Sequence, residues 1–585
     1  MKLTNKKISM QILSYKRSLI LLSILCSGAL FAQDKPLGSE TVIVVKPYTP
    51  SVNDAFKIKE TPKQGDSVKL DKKPVKYSIF SVPVASTFTP SKGRATQVEK
   101  AKRIKLFDNY VTLGFGTYSN ALAEFYTNFE VSRSDNFGIF LTHNSSQGGI
   151  EDVVLEDNFY NTNLNLNYNS RNRKSSWTTE LDLKHQLFNW YGVPETLGLS
   201  NNLIRGIDAQ QNYYAAGVGG ELQLYDSFFK KGSANYRYFG DDFSSTEHNF
   251  KADANFELNI ADELINTKIS ADVLNGSFQN GYQDLNSKDY TWMNFGVTPS
   301  LVILRDDLTL NLGASFVYGL DAENSDNSVY IYPQVTASYR VYGDMFIAYA
   351  GLEGGLNQNT YYNFAQENPY VSPTLDIRPT DRPYDGYVGA KGKLTNSISY
   401  NLRGGYMSEI NRALYRNNYE FTTNKEGYTN GNSFGVVYDD LKTLSGFGEI
   451  SVDVNSSFKL GLNATYFSYN GEFEAEAWNL PDYKASILAD YQITKKWFAG
   501  ANMFFVGERK DREIYFAPAD GNNFRTVTLD PYVDLNANLG YRFNDQLSIF
   551  AKGNNLLGDN YNKWSNFPVQ GIQVMAGATY KFDWN

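Results

Sequence analysis

The stretch Ile572–Trp584 reads IQVMAGATYKFDW, and its pattern determines the fold class of the chain. Every second residue is apolar, and the residues between them include Gln573, Thr579 and Lys581. The apolar positions are Ile572, Val574, Ala576, Ala578, Tyr580, Phe582 and Trp584. A period of two is typical of a β-strand that has one apolar and one polar face. Because the pattern recurs along the chain, the sequence predicts an all-β protein, a transmembrane antiparallel β-barrel of about 22 strands.

The segment Val533–Phe543, VDLNANLGYRF, indicates what the polar face contacts. Its apolar residues alternate with Asp534, Asn536, Asn538 and Arg542. A strand buried in a sandwich would rarely carry such residues on one face, whereas a water-lined lumen accommodates them. Segments of this kind begin after residue 107, so the barrel is predicted over residues 108–585.

The connections between these segments alternate in length. Short turns are predicted at residues 133–136, 261–263, 305–307, 342–344, 395–397, 494–496 and 544–545. Longer polar loops are predicted at residues 145–158, 189–202, 320–328, 357–383, 407–444, 471–481 and 508–529. Outer-membrane barrels have short turns on the periplasmic side and long loops outside. Because an even strand number requires it, Leu414–Thr423 is assigned to an external loop.

The composition fits a barrel in the outer membrane of a Gram-negative-type bacterium. The chain has 42 Tyr, 38 Phe and 7 Trp, although its mean hydropathy is -0.42. A membrane barrel places such residues in girdles where the wall meets the interfaces of the outer-membrane lipid. Beyond the N-terminus, no apolar run approaches the length of about 18 residues that a membrane-spanning helix needs.

Residues 1–32 have the features of a secretory signal peptide. Lys2, Lys6, Lys7, Lys16 and Arg17 precede the apolar run Leu19–Leu30, and cleavage is predicted after Ala32. Cys26, the only cysteine of the sequence, lies in this run. The exported chain is therefore predicted to have no disulfide and no cysteine metal site.

Residues 33–107 form a second predicted region, a periplasmic segment rich in Pro and Lys. Asp34–Phe107 carries 15 Lys+Arg against 7 Asp+Glu, whereas the whole chain has a net charge of -8. This composition favours an extended segment over a packed domain. Few aromatic residues accompany the basic ones, and the chain is exported, so nucleic acid is not an expected partner.

Catalytic and cofactor motifs have little support in the sequence. The three histidines, His143, His185 and His248, adjoin no nucleophile motif and have no metal-ligand spacing. The glycine-rich stretches Gly114–Gly116 and Gly217–Gly220 lie inside strand-like segments, not at the strand-to-helix turns of phosphate loops. We therefore expect no enzyme activity, no cofactor and no metal site.

Three stretches of the chain resemble TonB-dependent receptors. Ala551–Phe582 is similar to the end of these proteins, Asn368–Gly392 to a loop with its following strand, and Pro481–Asp511 to a late hairpin. The resemblance implies an outer-membrane barrel that transports a ligand and has TonB as its energising partner. It further implies that the aromatic residues Tyr580, Phe582 and Trp584 form a C-terminal signal read by the barrel assembly machinery.

The segment Glu40–Val45, ETVIVV, resembles the TonB box, through which TonB pairs with a receptor by strand addition. Its residues are Glu40, Thr41, Val42, Ile43, Val44 and Val45. Any valine-rich strand looks similar, so an ordinary extended segment is the alternative. Only Lys46–Phe107 separates this segment from the barrel, and the plug domain of the family is therefore predicted to be reduced or missing. The lumen would then be filled partly by this segment, blocked by a partner, or closed in another way.

The best ligand candidates lie in a predicted external loop formed by Thr360–Pro373 with Asp381–Tyr387. The aromatic residues Tyr361, Tyr362, Phe364, Tyr370 and Tyr384 could stack on a sugar or another planar ligand. The alternatives are an interface girdle and a loop that packs on itself.

Two functions remain open from the sequence. The first is transport of a ligand across the outer membrane, which the TonB-box-like segment and the aromatic loops favour. The second is a non-transporting accessory or scaffold barrel in a complex with an outer-membrane lipoprotein or another barrel, which the reduced plug favours.

Overall fold

The computed structural model describes residues 105–260, 263–283, 285–418, 425–514 and 524–584. All described residues belong to one compact unit, Arg103–Asn585. The predicted signal peptide, the TonB-box-like residues 40–45 and most of the predicted periplasmic segment lie outside the described residues. Among the described helices, none is long and apolar enough to span a membrane.

Twenty-two strands form one antiparallel sheet that closes on itself. The strands of the sheet are β1 (Asn109–Gly116), β2 (Ala121–Glu130), β3 (Asp135–Ser146), β4 (Phe159–Arg171), β5 (Ser175–Asn189), β6 (Gln210–Leu224), β7 (Phe229–Asp241), β8 (Thr246–Ile260), β9 (Glu263–Phe278), β10 (Lys288–Arg305), β11 (Leu308–Asp321), β12 (Asp326–Tyr342), β13 (Phe346–Asn357), β14 (Thr380–Thr395), β15 (Ile398–Asn417), β16 (Phe434–Asn455), β17 (Phe458–Gly471), β18 (Tyr483–Gln492), β19 (Trp497–Val506), β22 (Tyr532–Arg542), β23 (Leu547–Asn554) and β26 (Gln573–Phe582). The predicted fold class and strand number are confirmed.

Short elements accompany the barrel on its long-loop side. Two small hairpins are formed by β20 (Arg509–Ile514) with β21 (Phe524–Leu529) and by β24 (Asn562–Trp564) with β25 (Phe567–Pro568). The helical elements are a 3-10 turn (Glu195–Leu197), α1 (Asn201–Ile204) and α2 (Tyr361–Glu367).

The first and last strands of the barrel pair with each other. β1 and β26 are antiparallel, with Asn109 opposite Phe582 and Gly116 opposite Met575. β1 pairs with β2 on its other side. Every strand of the wall therefore has two neighbours, and the backbone hydrogen bonds of the sheet are satisfied without an edge.

The side chains alternate across the wall as the sequence predicts. In β1, Leu113 and Phe115 are 50% and 68% exposed, whereas Thr112, which precedes Leu113, is 6% exposed. The Thr112 hydroxyl lies 2.9 Å from the Thr579 hydroxyl on the inner face of β26. On the outer face of β26, Val574 and Tyr580 are exposed. The outer face is therefore apolar and the inner face polar, as in membrane barrels.

Several predicted loops are wrong in extent. β11 and β12 are joined by a tight turn at residues 322–325, not by a long loop. β15 continues to Asn417 and β16 begins at Phe434, so Leu414 belongs to the wall and is 1% exposed. At these strand ends Tyr415 of β15 and Phe434 of β16 pack against buried residues of the loops. The alternation that marks the rest of the wall is therefore lost.

Candidate functional site

Residues 358–379, which connect β13 to β14, fold into the outer mouth of the barrel, and we call them the lid. α2 starts after Thr360, whose side chain accepts a hydrogen bond from the Asn363 N–H at 3.0 Å. Such an N-cap satisfies one of the free N–H groups at a helix start. The buried apolar residues of the lid are Tyr361, Phe364, Ala365, Val371, Leu375 and Ile377. The lid is therefore a packed element that enters the protein interior.

An aromatic core on the barrel wall receives these residues. The other buried residues of this core come from the wall and from loops at its mouth, and they are Tyr191, Tyr213, Phe239, Leu274, Phe278, Tyr290, Tyr415, Phe434, Trp564 and Phe567. Tyr361 makes edge-to-face contacts with Phe239 and Phe278, both with ring centroids 5.0 Å apart. Tyr370 stacks on Phe567 with centroids 4.0 Å apart. Such pairs contribute about 0.5–1.5 kcal/mol each beyond the area they bury.

Side chains of the wall and of the loop that follows β5 also bind the main chain of the lid. Trp190 Nε1 donates to the Tyr370 carbonyl at 3.1 Å, and Trp292 Nε1 donates to the Ile377 carbonyl at 2.8 Å. The Tyr213 hydroxyl donates to the Pro369 carbonyl at 2.9 Å. A loop that enters an interior needs partners for its backbone groups, and the wall supplies them.

Glu247 of β8 anchors the start of α2. Its side chain is fully buried and accepts hydrogen bonds from the N–H groups of Tyr361 at 2.5 Å and Tyr362 at 3.2 Å. The Tyr290 hydroxyl donates to the same carboxylate at 3.1 Å, and Arg237 forms an ion pair with it at 3.6 Å. A buried charge requires such partners, so Glu247 joins the lid to the wall at one point.

The five predicted ligand residues occupy three different environments. Tyr361, Phe364 and Tyr370 face the aromatic core, and burial raises the pKa of the Tyr370 hydroxyl to about 12. Tyr362 lies on another side of α2, where its ring faces the guanidinium of Arg237 at 4.0 Å. Tyr384 lies in β14 on the outer face of the wall and stacks on Tyr406. The residues do not form one common surface, and their ligand role stays a prediction.

The predicted C-terminal signal residues lie together at the opposite end of the barrel. Tyr580 stacks on Phe582 with centroids 6.0 Å apart, and Phe582 meets Trp584 edge-on at 5.1 Å. Trp584 Nε1 donates to the Thr127 hydroxyl of β2 at 2.8 Å. These contacts join the end of the chain to the first hairpin of the wall. The recognition of this cluster by assembly machinery stays a prediction.

Beneath the lid, the inner face of the wall is lined by charged and amide side chains. The alternating residues Glu180, Asp182 and Lys184 of β5 face the lumen beside Arg237 of β7. Lys184 Nζ donates to the Tyr362 hydroxyl of the lid at 3.1 Å. Sequence reasoning did not single out this set, although the alternation in Ser175–Asn189 carried the signal. No group of three or more His, Cys, Asp or Glu suited to a metal ion occurs among the described residues.

A second buried acid holds the β20–β21 hairpin against the mouth. Asp511 is fully buried and accepts hydrogen bonds from the N–H groups of Asn417 at 3.0 Å and Arg512 at 2.7 Å. Burial raises the pKa of this carboxyl to about 6, against the opposing effect of these donors. The Asn479 side chain lies beside it, and the Asn479 amide oxygen has no donor among the described residues.

We expect docking of this hairpin to weaken as the pH rises. Because the pKa of Asp511 is higher in the folded than in the unfolded chain, the stabilisation is complete below pH 3.8 and is lost as the pH rises through about 6. The change is at most about 3 kcal/mol, since one pKa unit corresponds to 1.36 kcal/mol. Amide hydrogen exchange of β20 should be slower at pH 5 than at pH 7.5, after correction for intrinsic exchange rates.

Asp511→Asn should remove most of this pH dependence, because an amide stays neutral and can donate to the Asn479 oxygen. Asp530→Asn, at an exposed acid that follows β21, is the matched control and should keep the wild-type pH profile. If hydrogen exchange of β20 depends on pH as strongly in Asp511→Asn as in the wild type, Asp511 is not the group responsible for the pH dependence.

Comparison with known proteins identifies the class of barrel. No protein-family model matches the chain, and no curated protein matches it. The pyoverdine outer membrane receptor FpvA from Pseudomonas aeruginosa PAO1 is similar in structure, with a TM-score of 0.61, 12% identity, and coverage of 81% of this chain and 78% of that one. The siderophore receptor PirA from Acinetobacter baumannii gives a TM-score of 0.60, 12% identity, and coverage of 82% and 81%.

The ferric-catecholate import receptor Fiu from E. coli K12 has 9% identity to this chain and a TM-score of 0.58, with 82% of each chain covered. At such identities the likeness concerns the fold. The chain has the barrel fold of TonB-dependent outer-membrane receptors, and the resemblance predicted from the sequence is confirmed at that level. The structural neighbours are transport receptors and not enzymes.

Proposed function

We propose that this protein is a TonB-coupled receptor of the outer membrane that admits a ligand through its lumen, and that the lid controls entry. The observation that carries the proposal is the lid itself, an element packed into the outer mouth of a barrel whose inner face is polar. A scaffold barrel has no need of a polar path behind a folded mouth loop. The barrel fold shared with siderophore receptors supports the same function.

A ligand would reach the lumen only after the lid leaves its core. Tyr361 and Phe364 would then lose their aromatic contacts, and the α2 N–H groups would lose Glu247. Such a rearrangement needs a source of free energy, since packed cores have discrete arrangements and do not deform continuously. Ligand binding outside and TonB coupling inside are the two sources that fit an outer-membrane receptor.

Site-specific cross-linking tests the coupling through the predicted box. Cys26 in the predicted signal peptide is the only native cysteine, so Val42→Cys places a single thiol in the exported chain. We expect Val42→Cys to form a disulfide with a cysteine in the periplasmic domain of TonB, because strand addition brings the two backbones together. Gln64→Cys, in the same Pro/Lys-rich segment, is the control and should form it at least about tenfold less.

Equal cross-linking at both positions, or none at Val42→Cys, would contradict coupling through this segment. Deletion of Asp34–Lys46 should have the same effect on growth as deletion of the whole gene. If the deletion has no effect while the barrel co-purifies with a lipoprotein under mild detergent conditions, the accessory function is the better explanation.

A further inference from the structure

Pro299 interrupts the hydrogen bonds between β10 and β11 in the membrane-spanning part of the wall. The series of paired residues skips two positions in each strand, between the Val297–Phe316 pair and the Ser300–Gly313 pair. Val297 and Phe316 face outward and are exposed, so this gap lies within the apolar band of the wall. Proline has no N–H group and is rare inside sheets for that reason.

The register of the two strands shows which group loses its partner. At the outer end of the pair, the Ala322 N–H donates to the Thr291 carbonyl at 2.9 Å. Opposite residues of an antiparallel pair are hydrogen-bonded at every second position, so Pro299 occupies a hydrogen-bonded position opposite Ala314. The Ala314 carbonyl therefore lacks the N–H that any other residue at position 299 would donate. Among the described residues, no side chain donates to it instead.

A second proline of the wall, Pro333 of β12, causes the same loss, but there it is compensated. The Arg340 N–H donates to the Asp307 carbonyl at 3.0 Å, so every second N–H of β12 from Arg340 points to β11 and those between point to β13. Pro333 is at one of the positions between, and it leaves the opposite carbonyl, that of Gly354, without a backbone donor. Gln334 Nε2 donates to this carbonyl at 2.6 Å and replaces the missing N–H.

The inner face of the gap is lined by small side chains and hydroxyl groups. Thr298 Oγ1 donates to Ser315 Oγ at 2.8 Å across the two strands. Gly313 has no side chain, and a Cβ there would lie 2.8 Å from Ser300 Cβ and 2.9 Å from the Pro299 carbonyl oxygen. The wall is therefore thin at this point. Because an unpaired carbonyl cannot be hydrated in the hydrocarbon region, a ligand that donates to it stabilises an opened wall.

We infer that the gap between β10 and β11 is a lateral aperture, through which a single-chain amphiphile passes between the membrane and the lumen. The hydrocarbon chain lies between the two strands and extends into the membrane. The polar head donates to the Ala314 carbonyl and contacts the hydroxyl groups of Thr298 and Ser315. This function goes beyond passage through the outer mouth, and it requires neither the lid nor TonB.

Thiol labelling from the membrane tests the aperture, since the exported chain is predicted to have no cysteine. Ser315→Cys places one thiol on the inner face beside the gap. Ser445→Cys places one on the inner face of β16, where neither this strand nor its neighbours contain proline. Both full-length variants are reconstituted in dioleoyl-phosphatidylcholine vesicles in which a phospholipid carries a maleimide at the end of one acyl chain. We expect Ser315→Cys to react at least about tenfold faster, because only its thiol is reached through the wall.

Replacement of each proline shows whether the missing hydrogen bond is the cause. Pro299→Ala, combined with Ser315→Cys, restores the N–H and should slow the reaction at least about tenfold. Pro333→Ala in the same background is the matched control and should stay within about twofold, since Gln334 already supplies the donor. If Pro299→Ala fails to fold, Pro299→Val replaces it with the same expected loss. Equal rates at Ser315→Cys and Ser445→Cys, or a rate that the replacement of Pro299 leaves unchanged, would overturn the inference.

Protection by an amphiphile tests the occupant. Myristoyl lysophosphatidylcholine should slow the reaction of Ser315→Cys with a water-soluble maleimide at least about tenfold, because its chain adds apolar contact, and it should leave Ser445→Cys within about twofold. Glycerophosphocholine, the same head group without a chain, should protect neither thiol. Protection of both thiols, of neither, or by the head group alone would mean that no amphiphile occupies the gap. Such a failure leaves the proposed TonB coupling intact, because cross-linking at Val42→Cys tests it separately.

Discussion

Replacement of residues 359–378 by a short Gly-Ser linker is expected to turn the barrel into an open pore. Asn357 and Thr380 are opposite each other in the β13–β14 pair, so a short linker can join the strands without strain in the wall. The replacement removes the lid residues of the aromatic core from a barrel of 22 strands. Barrels of that size are wide enough for a water-filled channel unless something fills them.

Channel recordings in planar bilayers test this result. The lidless variant should show an ionic conductance about tenfold or more above that of the wild type, as expected for an unfilled barrel of this width. Insertion of the same linker into the turn at residues 322–325 is the control, because that turn joins two wall strands and contributes nothing to the core. A lidless variant that conducts like the wild type would show that the lid does not limit passage through the lumen.

The wall of this barrel can be predicted from the sequence because the pattern that determines each strand lies in neighbouring residues. Successive side chains of a strand face the apolar outside and the polar inside in turn, so apolar and polar residues alternate, as in Val111, Thr112 and Leu113. Turn residues between the strands fix the order of the elements. The fold class and the strand number therefore follow from the sequence with little further information.

The packing of the lid could not be predicted from the sequence because its contact partners are distant along the chain. Tyr361 and Tyr384 are both aromatic residues of the same predicted loop, yet one is buried in the mouth and the other lies on the outer wall. Glu247 has the alternation of an ordinary lumen residue, and its lid partners lie more than 100 positions further along the chain. The local sequence pattern predicts the face of the wall on which a residue lies. It does not predict which distant loop packs against that residue.

Glu247→Gln and Glu247→Ala are expected to release the lid while the wall stays folded. The carboxylate accepts two N–H groups of α2 and one tyrosine hydroxyl, and it neutralises Arg237. Removal of one member of a buried ion pair costs about 3–5 kcal/mol, because the partner charge stays buried without compensation. Glu247→Ala should approach that value, and Glu247→Gln should lose less, since its amide oxygen still accepts hydrogen bonds.

Asp253→Asn is the control that distinguishes the loss of the Glu247 contacts from a general loss of negative charge on the inner face. Asp253 lies on the same face of β8 and pairs with Lys268 at 2.8 Å, but both side chains are more than a third exposed. An exposed pair contributes about 0–1 kcal/mol, so this variant should keep the lid closed. Hydrogen exchange of the α2 amides should accelerate strongly in Glu247→Ala and hardly at all in Asp253→Asn, with the wall amides unchanged in both. Equal acceleration in the two variants would mean that the lid depends on the overall charge of the inner face, and the specific role of Glu247 in holding α2 would be wrong.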